Sequence, residues 1–172
     1  NLDIEFQGGE PLLNWDVVRF IVEYVRKKER REQRSINLKL VSNFSLMDDE
    51  KLKFFFEKNV SLCASLDGPE YVQNKNRIYC GGGGYRRTVT WLKKALLMYR
   101  SKTKFSKPGA LATITRHSLP YGKEIVDEYV KLGLPAIYLR PLNPFGFAKK
   151  TWNEIGYTAD EFIFFYKKTL DY

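Results

Sequence analysis

Phe6-Gln7-Gly8-Gly9-Glu10-Pro11 closes a short alternating run, Leu2 to Phe6, that reads as a β-strand. The two glycines let the backbone turn through dihedrals a side chain would forbid, and they expose bare amide and carbonyl groups. Glu10 sets an acceptor-only carboxylate beside them. Pro11 biases Glu10 toward extended geometry and directs the chain onward. A glycine pair with a carboxylate at a strand end has the groups to hold a ligand's ammonium from several sides. A Gly-Gly after a strand is also ordinary turn chemistry, so its meaning depends on the other strand ends.

Beyond Pro11, Asn14 as N-cap and Asp16 in the first turn predict a helix beginning near Trp15. Val18, Ile21, Val22 and Val25 form its apolar face. Ile36 to Val41 is the next strand and ends at Ser42-Asn43-Phe44. Asp48 caps a helix to about Lys58, with Leu52, Phe55 and Phe56 facing inward. Val60 to Leu66, nearly continuous in apolar residues, reads as a strand buried on both faces, ending at Asp67-Gly68-Pro69. An irregular stretch from Glu70 runs through Gly81-Gly82-Gly83-Gly84, which lacks the Lys-Ser or Lys-Thr of a P-loop and reads as a turn. A helix from about Arg87 to Tyr99 puts Val89, Leu92, Leu96 and Leu97 on one face. Gly109 to Thr115 is a strand. Ser118 is placed to cap a helix to Leu132, with Gly133 at its C-cap. Ala136 to Leu139 is the fifth strand, before Arg140-Pro141. Thr158-Ala159-Asp160-Glu161 is a capping box opening a last helix.

Five alternations of strand and helix predict an α/β fold with a parallel sheet and right-handed crossovers. A doubly wound sheet and a section of a (β/α) barrel both satisfy the pattern, and both bind ligands at the carboxyl ends of the strands. That rim collects Gly8, Gly9 and Glu10, then Asn43, Ser65 with Asp67, Thr113 with Thr115, and Arg140. Each has a plain explanation as a turn former or loop residue. Together they offer a carboxylate for an ammonium, hydroxyl and amide donors, and an arginine for a carboxylate, an inventory that suits an amino-acid-like ligand.

The 172 residues are 44% apolar and carry a formal charge of +9. No apolar run approaches the ~20 residues that span a bilayer. The charge invites a nucleic-acid reading, but much of it lies between Arg26 and Arg34, at the end of the first helix. Cations there complement the helix dipole, and no aromatic residues are interleaved to stack bases. A solvated helix end is therefore the expectation. The two cysteines, Cys63 and Cys80, are too far apart for a local metal motif. Cys63 reads as a core thiol, which fits a reducing cytoplasm. His117, the one histidine, reads as an exposed loop residue.

Phe6-Gln7-Gly8-Gly9-Glu10-Pro11-Leu12-Leu13 resembles the Gly-Gly-Glu motif of radical S-adenosylmethionine (radical SAM) enzymes, which holds the amino group of the cofactor's methionyl moiety. Ser42-Asn43-Phe44 resembles that family's Thr-Asn-Gly segment. Ala64-Ser65-Leu66-Asp67-Gly68-Pro69 with Asn74-Lys75-Asn76-Arg77 resembles the Ser-Leu-Asp-Gly-Pro…His-Asp-x-x-Arg signature of the peptide-modifying subgroup, which includes sulfatase-maturating and SPASM-type enzymes. Gln73-Asn74 stands where that signature has His-Asp. Residues 124–130, 139–147 and 162–172 are similar to the radical SAM maturase of the His-Xaa-Ser system. The resemblance covers nearly the whole chain. It implies a partial (β/α)6 barrel of the radical SAM type with outer helices, Leu2–Phe6 being barrel strand two and the first strand absent. It assigns Gly8, Gly9, Glu10, Asn43, Ser65, Asp67 and Arg77 to S-adenosylmethionine, Ser65 and Arg77 on its carboxylate.

In that family a three-cysteine loop after barrel strand one holds a 4Fe–4S cluster, which cleaves S-adenosylmethionine to a 5′-deoxyadenosyl radical. No such loop occurs in residues 1–172. Asn1 directly before a strand, and Tyr172 within a helix lacking a C-cap, lead to the expectation that the chain is one partial core domain cut from a longer peptide maturase. The cluster would then belong to the parent, and these residues alone would be inactive. An unpaired edge at Leu2 to Phe6 is expected to favour self-association. A peptide or small protein is the expected partner, with nucleic acid and membrane disfavoured. The alternative is a non-catalytic module binding peptide or nucleic acid through the basic helix ends.

Overall fold

The computed structural model describes residues 2–100 and 107–172; Asn1 lies outside them. Five strands, β1 (Leu2–Phe6), β2 (Ile36–Ser42), β3 (Val60–Ser65), β4 (Gly109–Ile114) and β5 (Tyr138–Pro141), follow chain order in the sheet. The pairs β1–β2, β2–β3 and β4–β5 are parallel. The helices are α1 (Trp15–Glu32), α2 (Asp49–Glu57), α3 (Glu70–Asn76), α4 (Gly84–Tyr99), α5 (Gly122–Lys131), the one-turn α6 (Phe147–Lys150) and α7 (Trp152–Ile155), and α8 (Ala159–Leu170). The α/β fold with parallel strands and intervening helices is thus the one expected. The chain divides into two compact units, Asn1–Ser65 with Arg87–Gly109, and Leu66–Arg86 with Ala110–Tyr172.

In the first unit, Val18, Val22 and Val25 of α1 are buried, as are Leu38 and Leu40 of β2, Leu52 and Phe55 of α2, and Leu92 and Ala95 of α4. Asp48 caps α2 by accepting from the Lys51 amide at 2.8 Å. In the second unit, Ala112 and Ile114 of β4 are buried with Ile125 and Tyr129 of α5 and Phe165 of α8. The left-handed Gly133 (φ +68°) ends α5. The amides of Gly133 and Leu134 return to the Val130 and Tyr129 carbonyls, the paired closure that favours a residue without a Cβ.

Several local expectations are corrected. Asn14 makes no cap; the chain enters α1 through a 3-10 turn, Pro11–Asn14, capped by Glu10. Strand β3 is not buried on both faces: Val60, Leu62 and Ala64 are buried, whereas Ser61, Cys63 and Ser65 are half-buried. Cys63 is therefore on the more open face and not in the core. The stretch after Pro69 contains α3, hidden from periodicity because its two buried residues, Val72 and Gln73, include a glutamine. Helix α4 starts at Gly84 and buries Thr88, Val89, Leu92, Ala95 and Tyr99, leaving Leu97 68% exposed. Gly81, Gly82 and Gly83, all at positive φ, form the expected turn. Ser118 caps nothing and is buried, accepting from the Asn76 side chain at 2.9 Å. His117 is half-buried, and β5 begins at Tyr138. The last helix closes at Leu170, where the Asp171 amide donates to the Lys167 carbonyl.

The basic run is also more than a solvated end. Arg26 is largely buried, with its side chain 15% exposed. Its guanidinium donates to the carbonyls of Lys58 (2.6 Å), Ile36 (2.9 Å) and Asn59 (2.8 Å) and to the Glu29 carboxylate (2.5 Å). Glu29 in turn accepts from the Ile36 amide. One planar fork thus ties α1 to the starts of β2 and β3, the end of a parallel sheet that serves stability. Lys27, Arg30, Arg31 and Arg34 are all exposed and make no bond to these three carbonyls.

Replacing Arg26 by Ala leaves three carbonyls and a carboxylate without this donor, so Arg26→Ala should cost about 2–4 kcal/mol in urea unfolding. Arg31→Ala should stay within about 0.5 kcal/mol. The capping box of α8 gives a pH prediction. The Thr158 amide and hydroxyl hold the Glu161 carboxyl below its ordinary value of 4.5. A lowered folded pKa stabilises above the unfolded value and is lost as pH falls through the folded one. Glu161→Gln should therefore weaken α8 at neutral pH, read by amide exchange, and match the parent at strongly acid pH.

Candidate functional site

Glu10 lies extended at φ −145° and ψ 109°, the geometry Pro11 imposes on its predecessor. One oxygen of its carboxylate accepts from the Leu12 amide (3.1 Å) and the Ser42 hydroxyl (2.7 Å). The other accepts from the Asn43 amide at 2.9 Å. The loop after β1 is therefore fastened to the carboxyl end of β2. Ser42, buried, accepts from the Phe44 amide at 3.0 Å. Phe44 is fully buried in the left-handed region, φ +59°. Asn43 folds its Oδ1 onto the Ser45 amide (2.7 Å), and its carbonyl accepts from the Thr88 hydroxyl at 2.8 Å.

Gly8 and Gly9 are exposed. Gly8 needs its hydrogen, because its φ is +143°. At Gly9 the φ makes no such demand, and an added Cβ would meet nothing within 4 Å. The backbone there is open to a ligand, while the adjoining carboxylate is turned into the protein. Ser65 is the last residue of β3 and half-buried.

The second unit repeats the device. Asp67 is buried, and its carboxylate receives the Arg77 fork at 2.9 and 3.0 Å. The same carboxylate accepts from the Thr113 amide of β4 at 2.9 Å. The Asp67 amide donates to Oε1 of buried Gln73 at 2.6 Å. The Asn74 Oδ1 accepts from the Tyr85 amide at the start of α4, 3.1 Å away. The Gln-Asn pair that replaces His-Asp thus supplies two side-chain acceptors, and the loop is held without an imidazole or a second carboxylate. Thr115 is buried, its hydroxyl donating to Asn76 at 2.7 Å. Arg140 is exposed on β5.

The structure therefore brings Glu10 to Asn43, and Asp67 to Arg77. It adds the bonds of Ser42, Gln73 and the Thr113 amide, partners that the sequence does not announce. Ser42 had a detectable signal: it shares the buried phase of β2 with Leu38 and Leu40, and a hydroxyl in that phase requires a partner.

The residues suit the methionyl end of S-adenosylmethionine. An exposed glycine backbone with unobstructed space above Gly9 can present carbonyls to an ammonium, and the fourth lone-pair site of Glu10 stays available. They do not suit an iron–sulfur cluster. Among the described residues no group of three His, Cys, Asp or Glu side chains could hold a metal ion, and Cys63 and Cys80 are not joined in a disulfide.

No protein-family model matches the chain. An uncharacterised protein of Methanocaldococcus jannaschii is 28% identical over 148 residues, 84% of this chain and 49% of the relative. The radical SAM cyclopropyl synthase TigE of Paramaledivibacter caminithermalis is 28% identical over 82 residues, 48% of this chain and 16% of the relative. The cysteine-type anaerobic sulfatase-maturating enzyme of Clostridium perfringens is 35% identical over 78 residues, 45% of this chain and 21% of the relative. The chain thus spans half or less of the length of these relatives. Among solved structures, histidine-tagged anSMEcpe with bound AdoMet superposes with a TM-score of 0.73 at 22% identity, over 98% of this chain and 43% of that one. Native anSMEcpe with bound AdoMet and Kp18Cys peptide gives 0.68 at 22% identity, over 83% and 38%. These matches carry the fold, a partial parallel (β/α) barrel. In sequence, a little under half of the chain is similar to radical SAM enzymes, the sulfatase-maturating one among them.

Proposed function

We propose that residues 1–172 are the cofactor-holding part of a radical SAM core domain, in a protein that modifies a ribosomally made peptide or small protein in a reducing cytoplasm. The observation that carries the proposal is the open Gly8-Gly9 backbone, fastened through Glu10 to Ser42 and Asn43. Gly8 and Gly9 would offer carbonyl acceptors to the methionyl ammonium. Asn43 would present its side-chain amide, and Ser65 its hydroxyl. By motif alone, Asp67 and Arg77 are also assigned to the cofactor. Two of the arginine's nitrogens serve Asp67, so the third, Nη1, is the one left for a carboxylate. Bound S-adenosylmethionine supplies a 5′-deoxyadenosyl radical once a reduced cluster cleaves it. The ligands of that cluster would come from outside these residues, which alone would be inactive. A peptide substrate is supported by the peptide bound to anSMEcpe, a protein of the same fold. The alternative of a basic nucleic-acid module loses support from Arg26, whose charge is engaged by carbonyls and Glu29.

Gly9→Val separates ligand binding from folding, because the Cβ has free space in the ligand-free chain. It should leave unfolding in urea within about 0.5 kcal/mol of the parent and lower S-adenosylmethionine affinity at least tenfold by calorimetry. Equal binding by both proteins would refute the proposed shelf. Iron and sulfide reconstitution of residues 1–172 should give no charge-transfer absorption, since a 4Fe–4S cluster is held by a larger set of thiolates than the two cysteines of these residues provide. A stable cluster that cleaves the cofactor would contradict the proposed division of labour. Asp67→Asn removes the charge facing Arg77 and should cost about 2–4 kcal/mol in thermal unfolding.

A further inference from the structure

We infer that Glu10 and Ser42 are positioning residues, which set the glycine backbone and the Asn43 turn for a ligand's amino-acid end without Glu10 itself being the main contact. The inference rests on the cofactor reading above and deepens it. Three of the roughly four lone-pair sites of the Glu10 carboxylate are taken by the Leu12 amide, the Ser42 hydroxyl and the Asn43 amide. Two of these donors lie more than thirty residues away in sequence. The carboxylate is thus a bolt between the loop after β1 and the end of β2, and most of its hydrogen-bonding capacity faces the protein.

Ser42 passes the constraint on. It donates to Glu10 and accepts from the Phe44 amide. Phe44 sits at φ +59° and fully buried, a conformation that residues other than glycine rarely adopt. Such a residue keeps its dihedral only where its surroundings over-determine it. The bond from Ser42 is one of those constraints, and Asn43, between the two, is aimed by both. Ser42 itself is buried, so a ligand reads its effect through its neighbours.

The test uses Glu10→Gln, Ser42→Ala and the double variant. Two ligands are compared, S-adenosylmethionine and 5′-deoxy-5′-methylthioadenosine, which keeps the nucleoside and lacks the amino-acid end. In the ligand-free chain, Glu10→Gln should speed amide exchange at Leu12 and Asn43 at least tenfold, and Ser42→Ala should do the same at Phe44. Each single variant should weaken S-adenosylmethionine binding five- to twentyfold, with the double variant no worse than the stronger single. Methylthioadenosine affinity should stay within twofold throughout, which a general loosening of the fold would not produce. The inference is overturned if exchange is unchanged at these amides. It is equally overturned if Glu10→Gln loses S-adenosylmethionine while Ser42→Ala binds it normally, the signature of direct contact with the carboxylate. Should the parent chain bind neither ligand, the cofactor reading fails, and amide exchange alone decides the positioning role.

Discussion

The carboxylate of Glu10 is the constraint on which the turns after β1 and β2 depend. Where parallel strands stop, their turns leave amides that the ladder no longer pairs, and buried amides without partners are costly. Glu10 accepts from two such amides and a hydroxyl. A charged acceptor makes bonds of this kind roughly twice as strong as a neutral one. Asp67 does the equivalent in the second unit, joining Arg77 to the Thr113 amide. Two acidic residues that a motif reading assigns to a ligand are thus first of all internal fasteners.

The opposite end of the first unit is governed by a cation. Arg26 gathers carbonyls where β2 and β3 begin, so an acidic side chain collects amides at one end of the strands and a basic one collects carbonyls at the other. The Arg26 cluster is largely buried, whereas the glycine pair at the other end remains exposed.

Much of this was legible where the physics is local. The alternation of strand and helix, the Asp48 cap, the Thr158–Glu161 box and the left-handed Gly133 are settled by neighbours within a few residues, and all stand in the structure. Motif residues also meet one another within each unit, Glu10 with the Asn43 amide and Asp67 with Arg77. What stayed hidden was long-range. Nothing near Arg26 in sequence announces Ile36, Lys58 and Asn59, and nothing near Gln73 announces that its amide oxygen serves Asp67. Periodicity failed at α3 because a buried glutamine breaks the apolar stripe, and at β3 because Cys63 counted as apolar while standing on the half-open face.

The Gln73-Asn74 pair shows how two neutral amide side chains can hold this loop. The loop needs an acceptor for the Asp67 amide and another for the first amides of α4. Oε1 of Gln73 and Oδ1 of Asn74 provide both. An asparagine accepts at a helix start about as well as an aspartate, so the exchange gives up a charge without leaving the amide unpaired. The same latitude does not extend to Glu10. Its two oxygens face donors on both sides, and an amide nitrogen in place of either would set donor against donor beside Asn43 or Ser42. A carboxylate at this position therefore serves the chain's own amides and the Ser42 hydroxyl before any ligand is considered.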